Sequence, residues 1–299
     1  MGDTGDEIAG EASGMRSQEQ MIVLNRHQAK FYDSIQQAQD LEKSDSRAHA
    51  KNEEANTLTR LMATLRYQQQ RAVAATGIQD RVRQMHLEWI AEKRGGSFLE
   101  IGCYSGNTYT FDLINAAGDY TGVELSKAAC LSLRQKVEAR NQSSKATIVH
   151  GDFLEYKPDR RFDFIYAHGV LHHFENPEPL FARIRDLIAD DGSLVFVEPV
   201  AINPVYRFLR SLYRPFQSDA AWVWPFRQMT VTELTKRFEM VDGFGWGRFS
   251  LPLSTMCSVP GLGSLVFPAY RWVVQNEIST VSQSNYWQNS MVIAKCLPV

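Results

Sequence analysis

Between Ser97 and Pro199 the chain repeatedly ends a short apolar run in a group that can hold a cation or move a proton. Glu100 closes "SFLEIG", Glu124 closes "YTGVEL", Asp152 closes "ATIVHGD", His168 closes "FDFIYAH" and Glu198 closes "SLVFVEP". After Glu100 come two glycines four apart, Gly102 and Gly106, with Cys103, Tyr104 and Ser105 between them. Glycine lets backbone turn sharply and approach a ligand closely. A carboxylate beside such a turn attracts a cationic group and repels phosphate, which wants bare amides and a helix dipole. The dinucleotide pattern G-x-G-x-x-G is absent, because there are only Gly102 and Gly106, and an acid, Glu100, precedes the first of them. Glu124 can accept two hydrogen bonds from vicinal hydroxyls, and Asp152 one from an exocyclic amine. The run "AHGVLHHF" adds His172 and His173 to His168, and imidazole is the side chain that moves protons near neutral pH. His168 and His172 stand four apart like a metal pair on a helix, but Gly169 interrupts the segment, and no metal is expected.

These groups need a frame. From Ser97 onward β-rich runs alternate with helical stretches such as Ser126 to Arg140 and Pro177 to Ala189, followed by a helix near Thr230 to Phe238 and a last strand, "NSMVIAKC". That alternation predicts an α/β fold with a parallel sheet covered on both faces. Ligands of such sheets sit beyond the carboxyl ends of the strands, where the winding reverses. Glu100, Glu124, Asp152 and His168 should therefore converge.

The rest of the chain divides by texture. Residues 1–20 are small, acidic and poor in large apolar groups, the composition of a disordered tail. Residues 21–95 read as an N-terminal helical cap, with apolar residues three and four apart, a polar break at "EKSDSRAHAKNEEAN" and Gly77 dividing the last two helices. Residues 96–299 form the remaining domain. The 299 residues are 44% hydrophobic and carry 32 basic against 34 acidic side chains, so no nucleic-acid partner is called for. Four scattered cysteines without metal spacing point to reduced thiols in a cytoplasmic setting. With no charged-then-apolar leader and no apolar run of about eighteen residues, neither secretion nor a membrane span is expected.

An ammonium beside Glu100, a ribose at Glu124 and an adenine at Asp152 together describe S-adenosylmethionine. "LEIGCYSG", "GVELS", "HGDF", "FDFIYAHGVLHHF" and "LVFVEP", in that order, resemble the class I S-adenosylmethionine-dependent methyltransferases. Within these the likeness is to the branch of ubiquinone and menaquinone C-methyltransferases and natural-product or sugar O-methyltransferases. It covers Ser97 to Pro199 well and the flanks poorly. The resemblance implies a Rossmann-like, doubly wound, mostly parallel seven-stranded sheet. It also implies that Glu100 and the loop Gly102, Cys103, Tyr104, Ser105 and Gly106 hold the methionine part. Glu124 with Leu125 would take the ribose and Asp152 with Phe153 the adenine, while Ala167 and His168 would lie beside the sulfonium. Tyr104 stands where the family usually places its middle glycine. A bulky residue at positive φ is strained, so the turn is expected to keep φ negative there and aim the ring outward, over the cofactor or against the following helix.

A methyl acceptor must be held near the methyl and, if it is a hydroxyl, relieved of a proton. His172 or His173 is the preferred base, with His168 a third candidate and Glu198 placed to orient it. Insertions near 200–229 and 249–287 are rich in aromatic residues and are read as a roof over an acceptor that is apolar or aromatic in part. Tyr206, Arg207, Trp222 and Trp224 are its candidate substrate contacts, joined by Tyr32 from "HAKFYD". Arg207, Arg210 and Arg214 fall at helical spacing, either as a solvated face or toward an anionic substrate. The second insertion is apolar enough to rest on a membrane surface or to pair two copies as a homodimer. The function expected is methylation of a small molecule, on a hydroxyl of a secondary metabolite or sugar-bearing compound. Carbon methylation of a quinone-like or lipid acceptor, and cofactor binding without turnover as a partner protein, stay open.

Overall fold

The computed structural model describes residues 18–42, 57–216, 220–280 and 283–299. Three helices lead the chain: α1 (Gln18–Glu42), α2 (Thr57–Ala74) and α3 (Ile78–Glu92). Strands and helices then alternate through β1 (Ser97–Ile101), α4 (Thr108–Ala116), β2 (Asp119–Glu124), α5 (Lys127–Ala139), β3 (Ala146–His150), β4 (Phe162–His168), α6 (Pro177–Leu187) and β5 (Ile188–Pro199). The remainder comprises α7 (Pro204–Tyr213), α8 (Gln228–Thr235), β6 (Phe238–Trp246), α9 (Ser250–Cys257), α10 (Gly263–Thr280) and β7 (Met291–Pro298). Of the tail expected over residues 1–20, the first seventeen lie outside the described residues, and Gln18 to Gln20 open α1. The polar break after Glu42 also lies outside them.

The strands form one seven-stranded sheet in the order β3-β2-β1-β4-β5-β7-β6. Only β7 runs antiparallel to its neighbours. Winding departs from β1 in both directions, so the reversal falls between β1 and β4, which pair Glu100 with Tyr166 and Ile101 with Ala167. Successive side chains alternate faces. Phe98, Tyr120, Tyr166 and Val195 pack with α3 and α4, while Leu99, Ile165, Leu194 and Phe196 pack with α6. Burial on both faces is why these strands read as near-continuous apolar runs.

Polar residues at the strand-to-helix turns start the helices. Asn107 accepts from the Thr110 amide at 3.1 Å while the Thr110 hydroxyl accepts from the Asn107 amide at 3.2 Å, a reciprocal cap on α4. Ser126 caps α5, and Asn176 and Asn203 cap α6 and α7, each followed by a proline in the first turn. Two boundaries differ from those the sequence suggests. Helix α6 stops at Leu187 rather than Ala189, because Ile188 already pairs with Phe162 before the register shifts ahead of Ser193. Helix α8 stops at Thr235, because Phe238 opens β6, a strand whose Gly243 and Gly245 dilute its β pattern. No helix among the described residues is long and apolar enough to cross a membrane.

Candidate functional site

The turn leaving β1 requires its glycines. Gly102 has φ +68, and a Cβ there would meet Val170 Cγ2 at 2.4 Å; Gly106 has φ +76, and a Cβ would meet Leu133 Cδ1 at 2.5 Å. Tyr104 corrects the expectation of negative φ, for it adopts φ +45. Its amide donates to Glu124 Oε2 at 2.9 Å, and its ring meets that of Tyr32 edge-on at 6.0 Å. These contacts hold a conformation that costs a residue with a Cβ about 1–2 kcal/mol.

Three acids have different surroundings. Glu124, at the end of β2, accepts from the amides of Tyr104 and Ser126, the latter at 2.7 Å, so one carboxylate ties the glycine turn to the start of α5. Burial pushes its pKa up. Asp152 accepts from the Leu154 amide at 2.9 Å and, through Oδ2, from the Asn25 side-chain amide of α1 at 2.7 Å. Glu100 points instead between β2 and α4, where Tyr120 Oη of β2 at 2.6 Å and Thr110 Oγ1 of α4 at 3.1 Å both donate to it. Its burial is complete enough to raise its pKa to about 7.

The histidines cluster after β4. His172 Nδ1 lies 2.6 Å from Glu198 Oε2, while Glu198 Oε1 accepts from the amides of Val170 and Leu171 at 2.8 and 2.7 Å. A fully buried carboxylate that faces only donors leaves Nδ1 as the protonated nitrogen of His172. His173 Nδ1 lies 2.8 Å from the Trp222 carbonyl, which can only accept. Its Nε2 therefore carries the lone pair and receives Tyr32 Oη at 3.3 Å. Burial, with His172 next to it, lowers the pKa of His173 to about 3 and keeps the ring neutral. His168 shares Nδ1 with Tyr166 Oη at 3.0 Å, and burial lowers its pKa too.

A cavity of about 200 Å³ opens beyond the strand ends. Of the residues singled out in the sequence, it is lined by Gly102, Tyr104, Glu124, Leu125, Asp152, Phe153, His168, His173 and Tyr32. The others stand apart from its lining. Glu100, Cys103 and Ala167 are buried in the body of the fold. Ser105 is buried with its carbonyl accepting from Lys136 at 2.7 Å, and Gly106 packs toward Leu133. His172 and Glu198 lie one layer behind, the His172 ring 4.3 Å from that of His173. Trp222 is buried, its ring 5.3 Å from that of Phe31. The Trp224 amide donates to the His172 carbonyl at 2.7 Å. Tyr206 and Arg207 lie on α7, away from the lining.

Helix α1 contributes what sequence reasoning missed: Met21, Asn25 and Gln28, which with Tyr32 line one side of the cavity. Their spacing of four, three and four marks one helical face, the available signal. Asp33 fixes that helix, accepting from Ser126 Oγ at 2.6 Å and from the Ala128 amide at 2.9 Å. The cavity thus combines acceptors for hydroxyl and amine donors at one end with two neutral imidazoles at the other. That donor set suits a nucleoside with a reactive end near His168 and His173.

Residues 99–194 match a family model described as a methyltransferase domain. The chain is similar to (S)-coclaurine N-methyltransferase of Papaver somniferum, 27% identical over 139 residues that make up 45% of this chain and 37% of that protein. It is also similar to ubiquinone biosynthesis O-methyltransferase of Glaesserella parasuis serovar 5 (strain SH0165), 27% identical over 124 residues, 39% of this chain and 52% of that one. The chain thus spans about half or less of the length of these relatives. In fold it is similar to the geranyl diphosphate C-methyltransferase of Streptomyces coelicolor A3(2), with a TM-score of 0.51 at 13% identity over 77% of this chain and 84% of that one.

Proposed function

We infer from the class I S-adenosylmethionine-dependent methyltransferase domain of this chain that the protein methylates a small molecule, most favourably on a hydroxyl. The observation that carries this reading is the single cavity in which Glu124 and Asp152 meet His168 and His173. When bound, S-adenosylmethionine supplies a methyl group on a positively charged sulfur. Glu124 keeps lone pairs for the two ribose hydroxyls beyond its two backbone donors, and Asp152 keeps one for the adenine amine. Leu125 and Phe153 flank the nucleoside, and the Gly102 turn brings bare backbone to it. Glu100 acts from behind, bracing the turn through Thr110 and Tyr120.

For a hydroxyl acceptor seated beyond the cavity lining we assign proton removal to His172, whose side chain lies behind His173 and keeps 12% exposure. Its Nδ1–H is directed at Glu198, which leaves Nε2 with the lone pair. His173, neutral and spanned between Trp222 and Tyr32, holds the Tyr32 hydroxyl in place to orient the acceptor. The named relatives divide between nitrogen and oxygen acceptors, so the choice of oxygen rests on the His172–Glu198 pair. Ile101, Val170 and Phe174 make part of the wall apolar, which favours as the second reading a carbon acceptor of quinone-like or lipid character. Turnover of a metabolite panel with isotopically labelled methyl donor, followed by NMR of the product, tests both readings. Label on oxygen supports the first and label on carbon the second, whereas cofactor binding without product across the panel points to a non-catalytic partner protein.

A further inference from the structure

Helix α7 buries none of its side chains, although its sequence PVYRFLRSLY is half apolar. Val205, Phe208 and Leu212 recur at spacings of three and four and so share one stripe, where they are 53%, 62% and 56% exposed. Arg207 and Arg210 project from the other side of the helix, and Arg214 continues their row one turn later. Among the described residues neither Arg207 nor Arg210 has an acidic partner. The helix is held in this attitude by its Asn203 cap, by Pro204 in its first turn and by Arg66 of α2, which donates to Tyr213 Oη at 3.0 Å. An exposed apolar stripe backed by Arg207 and Arg210 calls for an occupant that is apolar and anionic together.

We propose that α7 lies in the surface of an anionic lipid bilayer, with Val205, Phe208 and Leu212 in the acyl boundary and the arginines at headgroup level. A short amphipathic helix with a cationic polar face is the form that partitions into such an interface. Pairing with a second copy fits less well, because a stable interface buries about 800 Å² per partner and three side chains on a ten-residue helix offer far less. The position of α7 gives the contact a use. It starts at Pro204, just past the carboxyl end of β5, the end of the sheet that carries the cavity, so a lipid-dissolved acceptor would be presented beside the site.

Vesicle flotation with the full chain tests this, using phosphatidylcholine vesicles with and without phosphatidylglycerol. The expected result is binding to the mixed vesicles only, weakened by salt and reduced about fivefold by Arg210→Gln. The double change Phe208→Ser, Leu212→Ser should abolish flotation while circular dichroism and cofactor affinity stay as in the parent, since both side chains are exposed. Absence of binding to mixed vesicles, or binding that survives the double change, overturns the proposal. A concentration-dependent dimer that the double change dissolves, with no flotation, assigns the stripe to a second copy instead.

Discussion

His172 Nδ1 and Glu198 Oε2 lie 2.6 Å apart, and the other oxygen of the same carboxylate is occupied by two backbone amides. Every group facing Glu198 is a donor, so a neutral amide cannot replace the carboxylate without setting N–H against N–H. Glu198→Gln should lower stability by about 1–3 kcal/mol through the unsatisfied group. It should also lower kcat by about 10²- to 10⁴-fold by disturbing the His172 tautomer. Cofactor affinity should stay within experimental error, since neither residue lines the cavity. Steady-state rates and thermal melts check this, and undiminished rates in both Glu198→Gln and His172→Ala would remove the base assignment.

Asn25 gives a hydrogen bond to Asp152 Oδ2, one of the two oxygens of the carboxylate assigned to the adenine amine. Removing that competitor by Asn25→Ala should tighten cofactor binding by about tenfold, the order of magnitude of one hydrogen bond to a carboxylate. Titration calorimetry reads this directly. Weaker binding would instead mean that Asn25 itself helps to hold the nucleoside.

Glu100 gives the fold a pH dependence of predictable sign. Its folded pKa is raised to about 7 from 4.5 by burial, so the folded state binds the proton more tightly than the unfolded chain does. The contribution is present in full below the unfolded value and is lost as pH rises from there through about 7, with a slope approaching 1.4 kcal/mol per pH unit, to order of magnitude. Glu100→Gln should flatten the stability profile across that window. Denaturant unfolding of both proteins at several pH values makes the comparison, and parallel profiles would count against it.

Tyr104 at φ +45 separates backbone strain from ring packing. Tyr104→Ala keeps a Cβ in the strained conformation and loses the ring, whereas Tyr104→Gly loses the ring and relieves the strain. The glycine variant should be more stable than the alanine variant by about 1 kcal/mol. Equal stabilities would show that the turn relaxes once the ring is gone.

How much of this the sequence carries depends on how local each cause is. The sheet is readable because its strands are buried on both faces and become apolar runs between capped helices. Glu124 and Asp152 are readable because both end strands on the side where this architecture binds ligands. Glu100 shares that sequence signature but faces Thr110 and Tyr120, ten and twenty residues away, and no pattern in "SFLEIG" encodes those hydroxyls. The positive φ of Tyr104 has a cause at similar range, the Glu124 carboxylate on its amide. The α1 stripe of Met21, Asn25, Gln28 and Tyr32 is helical in spacing yet mixed in polarity, so an apolar-period search passes over it. The aromatic residues of the 200–229 insertion suggest a pocket roof by composition, but composition does not show that α7 turns its apolar stripe outward.

Titration calorimetry of the folded chain with S-adenosylmethionine tests the central claim most directly. Saturable binding at one site per chain is the predicted result, weakened about tenfold or more by Glu124→Gln and by Asp152→Asn, since each removes a hydrogen bond to a charged group. A chain shown by its melt to be folded that gives no saturable heat, or variants that bind as tightly as the parent, would contradict it.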